Sequence, residues 1–199
     1  GEWYWGEGAP AHAREVFSVT KSFTSALAGI AQDDGDLSLE DPAADYIEEW
    51  QGTESDTVTV RNLLSNDSGR EWSLELDYGQ LPYASDRTQF AIDLGQQYEP
   101  GTAWSYNNAA IQTLDRVISE ATGQTTAGLA EERLFGPLGM ADTDMTGANA
   151  DETATNTFFG LQSTCEDLAR FGHLYLRDGA WDGEQIVSAD YVEDSVGAP

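Results

Sequence analysis

Lysine is nearly missing from this chain. Of 199 residues only Lys21 is a lysine, and the other basic residues are eight arginines set against 36 acidic ones. A formal net charge of −27 gives a surface that repels nucleic acid and anionic membrane, so neither is expected as a partner. One cysteine, Cys165, excludes an internal disulfide; near a helix start it reads as a small buried or half-buried residue. Two separated histidines, His12 and His173, leave no metal-ligand spacing, so no metal and no cofactor is expected. No apolar run approaches the roughly 18 residues that a membrane-spanning helix needs.

What is present fits a folded protein. Hydrophobic residues make up 40% and aromatics 11%, too much for a disordered acidic chain, and the acids are scattered instead of gathered in a tail. Scattered acidity with scarce lysine points to a high-salt habitat, because at 1 M salt the Debye length shrinks to roughly 3 Å and surface repulsion is screened. The first residue is Gly, no targeting segment is visible, and Glu2-Trp3-Tyr4-Trp5 reads as the middle of a strand, so the chain is expected to start inside a longer fold.

The apolar periodicity predicts mainly helices in one domain without repeats. A helix from Phe17 or Ser18 carries the stripe Phe23, Leu27 and Ile30 and ends at Gly35. Residues 37–42 turn into a short helix near Tyr46. Residues 57–60 read as a short strand or an extended approach to 61–64, and 65–82 as a loop. A helix over about 86–94 is followed by the turn Glu99-Pro100-Gly101 and the extended Trp104-Ser105-Tyr106. Asn108 opens a helix with stripe Ile111, Leu114, Ile118 and Ala121, ended by Gly123, and another helix covers about 126–135. In the last, Thr164 and Asp167 resemble a capping box ahead of Leu168, Phe171 and Tyr175.

Two elements carry chemistry. Lys21 follows Ser18 by three residues, one helical turn, so its amine can reach the serine hydroxyl. Unlike arginine, a partly buried lysine can lose its proton and act as base, which makes Ser18–Lys21 a candidate activated nucleophile. The second is Tyr106-Asn107-Asn108: a phenol beside an ammonium can shuttle a proton, and an amide can orient a substrate carbonyl. Read alone, that triplet is equally a tyrosine packed at a helix start with an asparagine cap. Trp72 and Trp104 read as pocket walls or core. A Ser-His-Asp hydrolase is disfavoured, because no Gly-x-Ser-x-Gly elbow occurs and His173 lies mid-helix.

Taken in order, residues 16–38, Leu63 to Gly69, Tyr98-Glu99-Pro100-Gly101 before Tyr106-Asn107-Asn108, Leu134 to Met140, and residues 160–172 resemble the serine hydrolases of the class C β-lactamase and penicillin-binding-protein superfamily. The esterase and 6-aminohexanoate-oligomer hydrolase branch is the nearest in look. The resemblance implies an α+β, β-lactamase-like fold, a helical region packed on an antiparallel sheet, of which 1–199 is a partial, helix-rich domain. It implies Ser18 as the acyl-enzyme nucleophile, Lys21 and Tyr106 as the groups that move its proton, and Asn108 as a contact to the substrate amide or to Lys21. The substrates implied are small esters, amides or β-lactams, with D-Ala-D-Ala peptidase as an alternative activity. A non-catalytic binding or sensor module on the same fold is the alternative of a different kind.

One family feature has no match. The His/Lys-Thr/Ser-Gly triplet, whose strand supplies half of the oxyanion hole, is not found after Tyr106. Oxyanion donors are worth about 10² to 10³ in rate each, so residues 1–199 alone are expected to turn over poorly. With little sheet to cover them, the stripes at Phe23, Leu27, Ile30, Ile111, Leu114 and Phe171 are expected to stay partly open. Self-association, or pairing with an absent C-terminal segment, would follow. The charge predicts a salt response: the thermal midpoint should rise between low salt and molar KCl, and a flat or falling midpoint would remove the case for a high-salt habitat.

Overall fold

The computed structural model describes residues 12–197, so the strand reading of Glu2–Trp5 lies outside the described residues. A two-residue strand, β1 (Arg14–Glu15), leads through a 3-10 turn (Phe17–Val19) into α1 (Thr20–Asp34). The α-helix thus starts later than the pattern predicts, because Phe17 has φ +48°, outside helical geometry. Three alanines favour α1, and it is buried on nearly every side from Phe23 to Ala31, which makes it the central helix. It stops where Gly35 turns left-handed at φ +81°.

Residues 57–60 form no strand among the described elements. Thr59 is extended and caps α2 (Val60–Leu64) in a reciprocal box with Asn62. The stretch read as a loop, 65–82, holds a wide helical turn at Glu75–Gln80 and a 3-10 turn at Leu81–Tyr83. Next come α3 (Arg87–Asp93), α4 (Asn108–Gln112) and α5 (Leu114–Thr122), the last two being one predicted helix interrupted at Thr113. The predicted helix over 126–135 is α6 (Thr126–Ala130), widened into a π-type turn over Glu131–Phe135 and followed by α7 (Gly136–Leu138). β2 (Gln162–Ser163) pairs antiparallel with β1, Arg14 facing Ser163. α8 (Cys165–Leu176) is capped by the Thr164 hydroxyl, which accepts from Asp167 N. The hairpin of β3 (Ala180–Trp181) and β4 (Glu184–Gln185) turns on Asp182 and Gly183, both with positive φ. α9 (Ala189–Val196) completes the described chain.

The expectation of open stripes is corrected. Phe23, Leu27, Ile30, Ile111 and Leu114 are buried, and Phe171 is only 8% exposed. Other helices supply the cover: the Phe23 ring stacks on Phe171 at 3.9 Å and meets Phe135 edge-on at 6.0 Å. On α8 the fully buried apolar residue is Leu174, while Leu168 and Tyr175 are half-buried. Cys165, expected to be buried or half-buried, is exposed, since it is the first residue of α8 and faces outward. His173 is exposed and lies edge-on to Trp181 at 5.8 Å.

α9 docks on α1 through one tight contact. A Cβ added at Gly29 would lie 2.5 Å from the Tyr191 ring, and the Tyr191 hydroxyl donates to Ser25 O at 2.7 Å. Glycine to alanine inside a helix ordinarily gains about 1 kcal/mol. Here Gly29→Ala should instead destabilise, because pushing the ring out of place costs roughly 1–3 kcal/mol. A urea melt should show a lower midpoint at unchanged slope; a higher midpoint would mean that the ring moves freely.

Candidate active site

Ser18 stands exposed in the 3-10 turn, one residue after the strained Phe17. A non-glycine residue in that region costs on the order of 1–3 kcal/mol and persists only where its surroundings enforce it. Enforcement comes from the segment before β2. Val16 N donates to Leu161 O at 3.0 Å. The buried Thr20 hydroxyl donates to Phe17 O at 2.6 Å and accepts from Leu161 N at 3.2 Å. The turn therefore lifts Ser18 toward solvent on a fixed base.

Lys21, in the first turn of α1, is half-buried. Its Nζ donates to Ser18 Oγ at 3.1 Å and to Phe158 O at 2.8 Å, and lies 4.8 Å from the centre of the Tyr106 ring. Burial pushes the Lys21 amine below its ordinary 10.5, with Tyr106 and Asp77 partly opposing. Burial alone would raise the Tyr106 phenol, but the neighbouring Lys21 and Ser18 outweigh it and the net shift is downward. Both groups thus lie below their ordinary values, each influenced by the other.

The extended segment bearing Tyr106 is pinned on both flanks. Ser105 N donates to Asn66 O at 2.8 Å, and Asn107 N to Asn66 Oδ1 at 3.1 Å. Asn66 is held by the loop before Gly69, a position that excludes any side chain: φ is +69° and a Cβ would fall 2.1 Å from Tyr98 O. The cap of α4 is Asn107, whose Oδ1 accepts from Ala110 N at 2.9 Å. Asn108 is buried and points its Nδ2 at Asp77 Oδ2, 2.9 Å away; its own Oδ1 is enclosed and without a partner among the described residues.

All four predicted residues belong to one neighbourhood, three of them at or near the surface and Asn108 beneath. Sequence reasoning missed Asp77, Thr20, Asn66 and the Phe158 carbonyl. A backbone carbonyl has no residue signature, and Asp77 is one acid among many in a stretch read as loop. Trp72, Tyr98 and Trp104 line a cleft of about 480 Å³ with Ser105 and Asn107, the neighbours of Tyr106, so the tryptophans are walls and not core. A larger depression of about 820 Å³, along His173 and Trp181, contains none of the predicted site residues. Among the described residues no group of three or more His, Cys, Asp or Glu is arranged to hold a metal.

Similarity to known proteins runs along most of the chain. The chain is 33% identical over 133 residues to a beta-lactamase of Pseudomonas fluorescens, covering 65% of this chain and 36% of the relative. It is 27% identical over 217 residues to penicillin-binding protein 4 of Amycolatopsis lactamdurans, covering 92% and 57%. Among solved structures it superposes with a TM-score of 0.85 on a Bacillus anthracis protein assigned as a 6-aminohexanoate-dimer hydrolase, at 26% identity, covering 96% of this chain and 55% of that one. The chain thus spans less than two thirds of the length of each. The helix-rich architecture, with its short paired strands, is that of the β-lactamase-like fold. Since the Beta-lactamase family model matches residues 4–194, nearly the whole sequence, the chain belongs to the beta-lactamase family.

Proposed function

We propose that this chain carries the nucleophile and proton-transfer groups of a serine hydrolase acting on esters or small amides through an acyl-enzyme on Ser18. The observation that carries the reading is the 3.1 Å contact between Lys21 Nζ and Ser18 Oγ, made by an amine whose proton is weakened by burial. In the first half-reaction the Ser18 proton passes to the Lys21–Tyr106 pair as Oγ bonds to the substrate carbonyl carbon. As the tetrahedral species collapses, the bond to the leaving group breaks and the pair returns the proton to it. In the second, the same pair takes a proton from water, the hydroxide attacks the acyl carbon, and Ser18 Oγ leaves with that proton. Lys21 and Tyr106 act as one coupled base, since the ammonium of one and the phenolate of the other favour each other. Asn108 offers its enclosed oxygen to Lys21 or to a substrate amide.

The likeness to the assigned 6-aminohexanoate-dimer hydrolase supports an ester or short-amide substrate. Likeness to a beta-lactamase and to a penicillin-binding protein favours a second reading, in which a β-lactam or a D-Ala-D-Ala peptide is the acyl donor. The acidic, lysine-poor composition supports a high-salt habitat.

The test is turnover of a p-nitrophenyl ester by the intact protein, with fluorophosphonate labelling of Ser18. Ser18→Ala should lose on the order of 10⁴ or more in kcat and all labelling while its melt is unchanged. Lys21→Arg should be nearly as damaging, because guanidinium keeps its proton. In the wild type, kcat/KM should rise with pH as Lys21 loses its proton, with a midpoint below the ordinary 10.5. Retained activity in Ser18→Ala would end the assignment. Labelling by penicillin in preference to the ester probe would favour the β-lactam reading.

A further inference from the structure

We propose that Asp77 is a positioning residue of the Ser18 site: its carboxylate fixes the Asn108 end of the Tyr106–Asn108 segment and sets a buried negative charge against Lys21 and Tyr106. The inference rests on the reading of Ser18, Lys21 and Tyr106 given above.

Asp77 is 1% exposed, in the wide helical turn between α2 and α3. Its Oδ2 accepts from Asn108 N at 3.2 Å and from Asn108 Nδ2 at 2.9 Å, and its Oδ1 accepts from Ala109 N at 3.0 Å. These two backbone amides open α4 and have no acceptor within the helix, so without Asp77 they would be buried and unpaired. The third bond fixes the amide of Asn108. Turning it over would set Oδ1 against the carboxylate, so the carbonyl end must face away from Asp77, and it is that oxygen which is left free. Lys21 has three N–H donors; two go to Ser18 and Phe158, and the Tyr106 hydroxyl is a further hydrogen-bond neighbour.

The charge has a second effect. No arginine or lysine forms an ion pair with Asp77 among the described residues. The titratable groups that feel it are Lys21, from α1, and Tyr106, from the segment before α4, while Trp72 and Asn108 are its other polar neighbours. Its negative charge favours the ammonium of Lys21 and disfavours the phenolate of Tyr106, so it holds the shared proton on the pair. Burial itself raises the Asp77 carboxyl, and the donors from Ala109, Asn108 and Trp72 oppose that rise.

The titration of Lys21 can be read from the ¹³Cε resonance of labelled lysine in the intact protein, assigned by its loss in Lys21→Arg. Asp77→Asn should move that midpoint to lower pH. The rising limb of kcat/KM for the p-nitrophenyl ester should move the same way, and kcat should fall roughly 10- to 100-fold through misplacement of Tyr106. Asp77→Glu, which keeps the charge, should leave the midpoint near its wild-type position even where kcat falls. Should Asp77→Asn lose its cooperative melt, Asp77→Ser, smaller and uncharged, is titrated in its place with the same expectation. A wild-type midpoint in the uncharged variant, an equal shift in Asp77→Glu, or a drop in rate with an unmoved limb would each overturn the proposal. The NMR midpoint does not depend on turnover, so failure of Ser18 to label in the wild type would defeat the catalytic reading separately.

Discussion

The Thr20 hydroxyl bonds at once to the carbonyl of Phe17 and the amide of Leu161, and so joins the strained turn to a segment far away in the chain. That segment has almost no regular structure, yet it is laced to two helices. Thr24 of α1 donates its hydroxyl to Thr157 O at 2.8 Å. Gln112 of α4 donates to Thr155 O at 2.8 Å and accepts from Thr157 N at 3.0 Å. Residues 155–161 therefore work as a spacer that sets α1 and α4 at a fixed separation. Ser18 and Lys21 ride at the start of one helix, and Tyr106 just ahead of the other. The distance between the Lys21 amine and the Tyr106 phenol follows from hydrogen bonds of the Thr20, Thr24 and Gln112 side chains to backbone rather than from Lys21 and Tyr106 themselves.

What could be read in advance was local. The three-residue spacing of Ser18 and Lys21, the stop at Gly35, the Thr164 cap and the helix opening at Asn108 are each set by neighbours within a turn, and each is found. What could not be read was set from afar. Phe17 leaves helical geometry because Thr20 and Leu161 hold it there, which no pattern in residues 14–23 contains. Asp77 is meaningful only beside Asn108. The apolar stripes were expected to need a sheet, whereas Phe23, Phe135 and Phe171 cover one another, and side-chain periodicity names a buried face without naming its partner.

Charge is handled differently inside and outside this molecule. Outside, the ion pairs among the described residues are all made by arginine, as with Arg61 between Glu40 and Asp194. Inside, the buried Asp167 pairs with Arg170, while Asp115 and Arg70 are held by neutral donors and acceptors. Asp115 accepts from the hydroxyls of Thr88 and Thr126, both at 2.8 Å. Arg70 is buried over the Trp50 ring, donates to Ser55 Oγ and to the carbonyls of Ala91, Ile92 and Leu94, and is pushed down to about 10 by its burial. Its own carbonyl accepts from Asn107 Nδ2 at 3.2 Å, so this clamp also backs the Tyr106 segment. Such networks keep their strength in concentrated salt, since ions that screen surface pairs do not reach them.

The contact of Gly29 with Tyr191 joins two positions that lie near opposite ends of the described chain. As long as an aromatic ring occupies one, the other has no room for a side chain, and glycine weakens the central helix in which it sits. The two sites therefore cannot drift independently over evolutionary time. A lineage that trims the ring frees position 29 to gain a methyl group and a firmer helix, and one that keeps the ring retains the weak point. Among relatives the size of residue 29 should vary inversely with that of residue 191.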